Sequence, residues 1–340
     1  MERTFIATPN IPSYGGPKSF FDKLNAELSS NHNIEMNNDP DQSSKLIFVI
    51  GGTKRFFWLL KQKIKGKKII QRLNGVNNYD FKSANLKDYI NAKIGNFLIF
   101  YVRNFFANHI IYQSYFSKEM NDKAFGQVKT PYSIIYNGTK TKKALKNYSK
   151  RPINLFCCEG TIENDIFDQT LLKEIMEYVE NNSALDSFHI FGLCKQEDIL
   201  QKEVSNYRKT MFHGKVPFAE IEKKYQEGGI FFSIEIDSAC PNSVIEAISF
   251  RLPVAGFITG AMPELVKIGK TGVLNKKISK NTLRNNPFVM HQAIDSVKAT
   301  LDEIIKNYET YETHLQDEFF SKFNIEDTAA EYLKVFEKYI

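Results

Sequence analysis

The 340-residue chain predicts an α/β protein made of two doubly wound halves. Three observations predict it. The length is more than twice that of a typical domain of roughly 150 residues. Short β-rich runs alternate with segments of helical periodicity, the pattern of βαβ units and hence of a parallel sheet. The alternation also runs twice, once on each side of a polar, Lys-rich passage, TKTKKALKNYSKRP, at 139–152. The expected division is 1–145 for the first half, joined by a final helix at 325–340, and 150–324 for the second.

In the first half the apolar, β-branched runs lie at 4–10 (TFIATPN), 46–50 (LIFVI), 68–72 (KIIQR), 109–113 (HIIYQ) and 133–137 (SIIYN). In the second they lie at 153–158 (INLFCC), 187–191 (SFHIF), 228–234 (GGIFFSI), 253–257 (PVAGF) and 272–274 (GVL). The tail, IEDTAAEYLKVFEKYI, spaces Tyr332, Leu333, Phe336, Tyr339 and Ile340 on one helical face, which must pack on something. No repeat of 20 to 50 residues interrupts this plan.

Apolar residues make up 42% and charged residues 25%, as in a soluble globular protein rather than a disordered or fibrous one. Cys157, Cys158, Cys194 and Cys240 show no CxxC or Cys/His ligand spacing and read as reduced thiols. No apolar run reaches the roughly 18 residues that span a bilayer, and MERTFIATPN is not a signal peptide, so a cytoplasmic protein is expected. The net charge of +6 is unevenly spread. Residues 1–150 hold 24 Lys/Arg against 10 Asp/Glu, a balance of +14, and residues 151–340 hold 21 against 29, a balance of −8. The densest stretch, KRFFWLLKQKIKGKK at 54–68, carries seven basic residues and no acid among Phe56, Phe57, Trp58, Leu59, Leu60 and Ile64. It reads either as a solvated helix with a core side or as an element that docks on an anionic membrane. No nucleic-acid recognition motif accompanies the charge, so nucleic acid is not an expected partner.

In open α/β sheets ligands sit beyond the carboxyl ends of strands, so the loops that follow strands hold the candidate site. In TPNIPSYGGPKSFF, Gly15 and Gly16 precede a helix with Lys18 beside its start, an arrangement suited to an anion such as phosphate. It matches neither GxGxxG nor a P-loop. In CPNSVIEAISFRLPVAGFITGAMPELV, 240–266, a helix begins near Asn242 and places Glu246 one turn in, among Val244, Ile245, Ala247 and Ile248. A carboxylate there can accept two hydrogen bonds from a vicinal diol such as that of a ribose. Asp39 and Asp41 form an acid pair in a polar turn, the six histidines show no metal spacing, and no GxSxG elbow is present, so metal and hydrolase chemistry find no support.

The segment EAISFRLPVAGFITGAMPELV resembles the donor site of family 4 glycosyltransferases. GGPKSF, IIQRLNG, IYQSYFSKEM, IIYNGT and FHGKVPFAEIEKKY fall in the order of that family along nearly the whole chain. The resemblance implies a GT-B architecture, in which two Rossmann-like domains face an interdomain cleft and the last helix crosses back to the first domain. It implies a nucleotide-sugar donor held by the second domain, a glycan or lipid-linked acceptor held by the first, retention of anomeric configuration, and no cofactor or metal. Carried over, Glu246 would hold the donor ribose, and Asn242, Ser243 and Val244 would offer amides to the diphosphate. Gly15, Gly16 and Lys18 would form the phosphate loop of the first domain, Gly160 and Thr161 would flank the donor, and the backbone at Lys215 and Val216 would line the base. Three departures stand out. The first acid of the family's pair falls on Ser238, with Asp237 next to it. The usual Arg and Lys after the first strand of the second domain are replaced by FCCEGTIENDIF, leaving Lys18, Arg251 or Lys215 to supply the charge. Asn74 stands where many relatives carry His or Asp. The catalytic candidates are therefore Asn74, Ser238 and Asp237.

Overall fold

The computed structural model describes residues 4–9, 11, 15–38, 45–76, 86–140, 153–163, 165–317 and 323–340. The Asp39 and Asp41 pair, most of the Lys-rich passage and both ends of the expected domain boundary lie outside them. The chain divides into two compact units, Met1–Gly138 with Phe323–Ile340, and Thr139–Lys322.

Unit 1 runs β1 (Thr4–Ala7), α1 (Gly15–Asn31), β2 (Ile34–Asn37), β3 (Leu46–Ile50), α2 (Phe56–Ile64), β4 (Lys68–Leu73), α3 (Leu86–Tyr101), β5 (His109–Tyr112), α4 (Tyr115–Phe125) and β6 (Tyr132–Ile134). A single π-helical turn, Val102–Phe106, extends α3. Unit 2 runs β7 (Ile153–Ile162), α5 (Ile166–Asn181), β8 (Leu185–Cys194), α6 (Glu197–Val204), β9 (Thr210–Gly214), α7 (Phe218–Tyr225), β10 (Gly229–Phe232) and α8 (Asn242–Ser249). It continues with β11 (Val254–Ile258), α9 (Met262–Leu265), β12 (Gly272–Lys277), α10 (Lys280–Asn285), α11 (Pro287–Lys306) and α12 (Tyr308–Asp317). The chain then closes with α13 (Ile325–Glu337), which belongs to unit 1.

Each unit is a parallel six-stranded sheet, ordered β2-β1-β3-β4-β5-β6 and β12-β11-β10-β7-β8-β9. The order reverses between β1 and β3 in the first sheet and between β7 and β10 in the second. These are the two places where a doubly wound sheet opens a crevice at its carboxyl edge. β3 and β10 are buried along their whole length, as central parallel strands covered on both faces must be.

α13 lies against α1 and the first sheet. Tyr332 and Phe336 are fully buried, with Phe336 edge-on to Phe48 at 5.4 Å and Tyr332 at 5.5 Å from Phe20. Gly138 admits this approach, because a Cβ there would stand 2.5 Å from Thr328 Oγ1 and 2.9 Å from Ile325 Cα. The face predicted for the tail is nearly the packed one. Leu333 and Tyr339 flank the buried pair, while Ile340 lies beyond it and is exposed.

Two strands carry no signal in the sequence reading, β2 and β9, and both are edge strands. β2 alternates buried and half-buried residues over four positions, and β9 buries only Thr210 fully, so neither shows an apolar run. β7 continues to Ile162 rather than ending at Cys158. The strand carries a register shift between Cys158 and Thr161, which hides the alternation of the extension. All four cysteines are free thiols.

Candidate functional site

The carboxyl edge of the second sheet, where β7 and β10 diverge, gathers most of the predicted residues. β10 is followed by an irregular passage, 233–241, that delivers the chain to α8. Pro241 occupies the cap position and offers no side-chain hydrogen bond to the first amides of the helix. Asn242 and Ser243 are half-buried and Val244 is buried in the first turn.

Glu246 follows one turn on. Its side chain is half-buried, although Val244, Ile245, Ala247 and Ile248 around it are buried. Its charge acts on two groups at the same edge. The Cys158 thiol is pushed far up by burial, then by Glu159 and Glu246, and the buried Tyr225 phenol is raised by burial, then by Cys158 and Glu246. Glu246 therefore lies close enough to the end of β7 for its charge to act there.

Glu159 is the residue the sequence reading valued least. It is 5% exposed, and its carboxyl is hydrogen-bonded to that of Glu235. Burial, then the Glu235 charge, holds its pKa well above the usual carboxylate range. Glu159 Oε1 and Glu235 Oε2 are buried without hydrogen-bond partners among the described residues. Where the resemblance expects basic side chains, this unit brings two acids together. Glu235 is the member sequence reasoning missed. The signal is the alternation SIEID, which breaks an apolar run with acids at the carboxyl end of a buried strand.

The other unit 2 candidates have more local work. Asp237, with φ 58°, accepts hydrogen bonds from Thr259 Oγ1 at 3.2 Å and from the Lys280 amide at 2.9 Å. Both its carboxylate oxygens tie the passage after β10 to those after β11 and β12. Ser238 is half-buried and its carbonyl accepts from the Ala261 amide at 2.9 Å. The Gly-Ala-Met-Pro-Glu loop packs directly on it, since a Cβ on Gly260 (φ 53°) would stand 2.4 Å from the Ser238 oxygen. Gly160 and Thr161 lie in the β7 extension, where Thr161 pairs with Leu193, rather than in a loop. Lys215 is exposed and Val216 half-buried at the end of the edge strand β9, after Gly214 with φ 63°.

Unit 1 places its candidates at its own carboxyl edge. Gly15 (φ 74°) and Gly16 are exposed at the start of α1, and Lys18 pairs with Asp22 one turn along the same helix. Asn74 follows β4. Its side-chain oxygen accepts from Arg72, and its carbonyl accepts from Ser117 Oγ at 2.9 Å and Asn121 Nδ2 at 3.0 Å. An amide so engaged cannot take a proton and acts here as a positioning group. Among the described residues no group of three or more His, Cys, Asp or Glu is placed to hold a metal ion, and no helix is long and apolar enough to cross a membrane.

Residues 155–284 match the family described as "Glycosyl transferases group 1". The match covers 130 of the 340 residues. It spans the carboxyl edge of the second sheet described above, from β7 through α10, and contains Glu159, Glu235 and Glu246. No curated protein sequence matches the chain. Among solved structures, Anabaena Alr3699/HepE in complex with UDP is 14% identical with a TM-score of 0.68, over 99% of this chain and 100% of that one. Sucrose-phosphate synthase from Thermosynechococcus elongatus is 12% identical with a TM-score of 0.68, over 99% of both chains. The pneumococcal O-GlcNAc transferase GtfA, in complex with UDP and GlcNAc, is 14% identical with a TM-score of 0.60, over 86% of this chain, which spans 56% of that longer one. At such identities the likeness is one of fold, and the fold is GT-B.

Proposed function

We propose that the protein is a retaining glycosyltransferase that moves a sugar from a nucleotide-sugar to a glycan or lipid-linked acceptor in surface polysaccharide biosynthesis. The observation that carries this reading is Glu246, half-buried near the β7 edge one turn into α8, whose cap residue Pro241 offers no side-chain cap. Its carboxylate would accept hydrogen bonds from the two ribose hydroxyls, and the amides of Asn242, Ser243 and Val244 would face the diphosphate. In a retaining transfer the acceptor hydroxyl attacks from the face the nucleotide leaves, and the departing diphosphate takes the proton. Negative charge then grows on the leaving group, where amides at a helix start stabilise it most. Uridine nucleotides are the donors to test first, since the HepE and GtfA structures were solved with UDP.

Unit 1 would supply the acceptor and the contact with an anionic membrane surface on the cytoplasmic side. The predicted element at 54–68 is α2 with its flanks. Leu59 and Gln62 are buried, while Phe57 and Ile64 are 82% and 78% exposed. α3 adds exposed Leu86, Ile90, Ile94 and Phe97 at helical spacing. Rings connect the two, from Phe56 to Tyr101 at 5.8 Å and from Tyr101 to Phe97 at 4.5 Å and to Phe105 at 5.4 Å. Exposed Lys54, Arg55, Lys61, Lys65, Lys68, Lys87 and Lys93 surround this apolar face. Such a patch, apolar within a basic border, matches the chemistry of an interfacial element.

A second reading, a GT-B protein that binds nucleotide-sugar or glycan without turnover, is favoured by the Glu159 and Glu235 pair standing where basic side chains are expected. A panel of nucleotide-sugars distinguishes the two, scored for transfer and hydrolysis with Glu246→Ala as control. The transferase reading expects turnover that this substitution abolishes. Binding without turnover, unaffected by Glu246→Ala, would favour the second.

A further inference from the structure

On the α1 and α13 side of the first sheet, the core aliphatics are followed two residues later by polar side chains. Ile6 is followed by Thr8, Ile70 by Arg72, Ile111 by Gln113 and Ile135 by Asn137. Alternation puts each pair on one face, so these four polar residues form a tier at the carboxyl edge, across β1, β4, β5 and the end of β6. All four are buried.

Arg72 is the centre of the tier, and it is 1% exposed. Its Nη1 donates to Asn74 Oδ1, and its Nη2 donates to Gln113 Oε1 at 2.8 Å and Asn137 Oδ1 at 2.6 Å. The guanidinium lies 3.6 Å from the centre of the Phe20 ring, under the second turn of α1. Every one of these partners is neutral. Among the described residues Arg72 has no carboxylate partner, and its Nε donor is buried without an acceptor. Thr8, fully buried at the end of β1, likewise has an unpaired Oγ1. A buried cation lacking a counter-charge is costly, and neutral amide oxygens offset only part of that cost. Arg72 on β4 and Thr8 at the end of β1 share one face of the carboxyl edge with β3 between them, where the strand order reverses beside the start of the 17-residue α1.

We infer that unit 1 carries its own oxyanion subsite, built on Arg72 and Thr8 beneath the start of α1, and that it takes the carboxylate or phosphate group of a charged sugar acceptor. Arg72 supplies the charge and its Nε donor, Thr8 a hydroxyl donor, and the start of α1 a favourable dipole. Asn74, Gln113 and Asn137 hold the guanidinium in place. That the ligand is the acceptor rests on the transferase reading, whereas the binding of an oxyanion does not.

Thermal shift and calorimetric titration of the full chain test this, with inorganic phosphate, glucuronate and glucose 6-phosphate against neutral glucose. The three anions should stabilise the protein saturably and glucose should not. Comparing glucuronate with glucose 6-phosphate identifies which oxyanion the acceptor carries. Arg72→Gln should weaken anion binding by about tenfold or more, as the loss of a charge-assisted hydrogen bond does. Thr8→Val should weaken it by about threefold to tenfold while the free protein melts no lower than the parent, since an unpaired buried hydroxyl is removed. If Arg72→Gln does not fold, Thr8→Val decides alone. Absence of anion binding, or unchanged binding by Thr8→Val, overturns the inference, as does displacement of phosphate by UDP. UDP binding in the same samples reports separately on the transferase reading, which fails if no nucleotide or nucleotide-sugar binds.

Discussion

The carboxyl of Glu159 is hydrogen-bonded to that of Glu235, and Glu159 is buried with its pKa well above the ordinary value. The folded state therefore holds a proton that the unfolded chain releases above about pH 4.5. In that window the folded state binds more protons, so stability falls as pH rises. Glu159→Gln keeps the hydrogen-bonding shape without the charge. It should flatten the dependence above pH 4.5 and raise the melting temperature at pH 8, measured by thermal unfolding across pH. A variant that is less stable than the parent at pH 8 contradicts the raised pKa of Glu159.

Two histidines act in the opposite sense. His109 and His189 are lowered to about 4 by burial, then by Lys338 in the first case and by His213 in the second. Their unfolded value is near 6.5, so between roughly pH 6.5 and 4 the unfolded state binds more protons and stability is lost as pH falls. Each group adds at most about 1.4 kcal/mol per pH unit to that slope. Urea unfolding at pH 7.5, 6 and 5 should show the loss. A His189→Asn variant should lose less, and a slope identical to the parent's would exclude His189 as a source.

Phe336 on α13 is fully buried against Phe48 and Tyr332. Phe336→Ala should cost about 3–5 kcal/mol in unfolding free energy, the range for removing a buried phenylalanine. A cost below about 1 kcal/mol would mean that α13 is not a fixed part of the first core.

Gly260→Ala forces a Cβ within 2.4 Å of the Ser238 carbonyl at a φ of 53°. The passage between β10 and α8 must move to admit it. The proposal that α8 and Glu246 hold the donor then expects weaker nucleotide-sugar binding, by about tenfold, with a structural strain of roughly 1–3 kcal/mol. Calorimetric titration would show this. Unchanged affinity in a folded variant would separate the passage from the donor site.

Sedimentation with anionic vesicles tests the α2 and α3 face. Binding should fall when Phe57 and Ile64 are both replaced by Asp, and should weaken with salt as screening shortens to about 8 Å at 0.15 M. Binding that ignores both changes would remove the membrane contact from the proposed function.

Both parallel sheets and most of their strands were legible in the sequence. Buried parallel strands such as LIFVI and GGIFFSI need unbroken apolar runs, and the loops after them announce where ligands sit. The Asn242 helix start and Glu246 were legible for the same reason, because a carboxylate inside an apolar helix stands out locally. The edge strands β2 and β9 were not, since a strand covered on one side lacks such a run. Nor were the pairings of Glu159 with Glu235 and of Arg72 with Gln113 and Asn137. Glu159 and Glu235 are 76 residues apart, and Arg72 and Asn137 are separated by 65. Local periodicity tells which face a side chain takes, but only strand order and register decide which distant residue shares that face. That is why the partners of these edge residues, Glu235 for Glu159 and Gln113 and Asn137 for Arg72, belong to the tertiary structure.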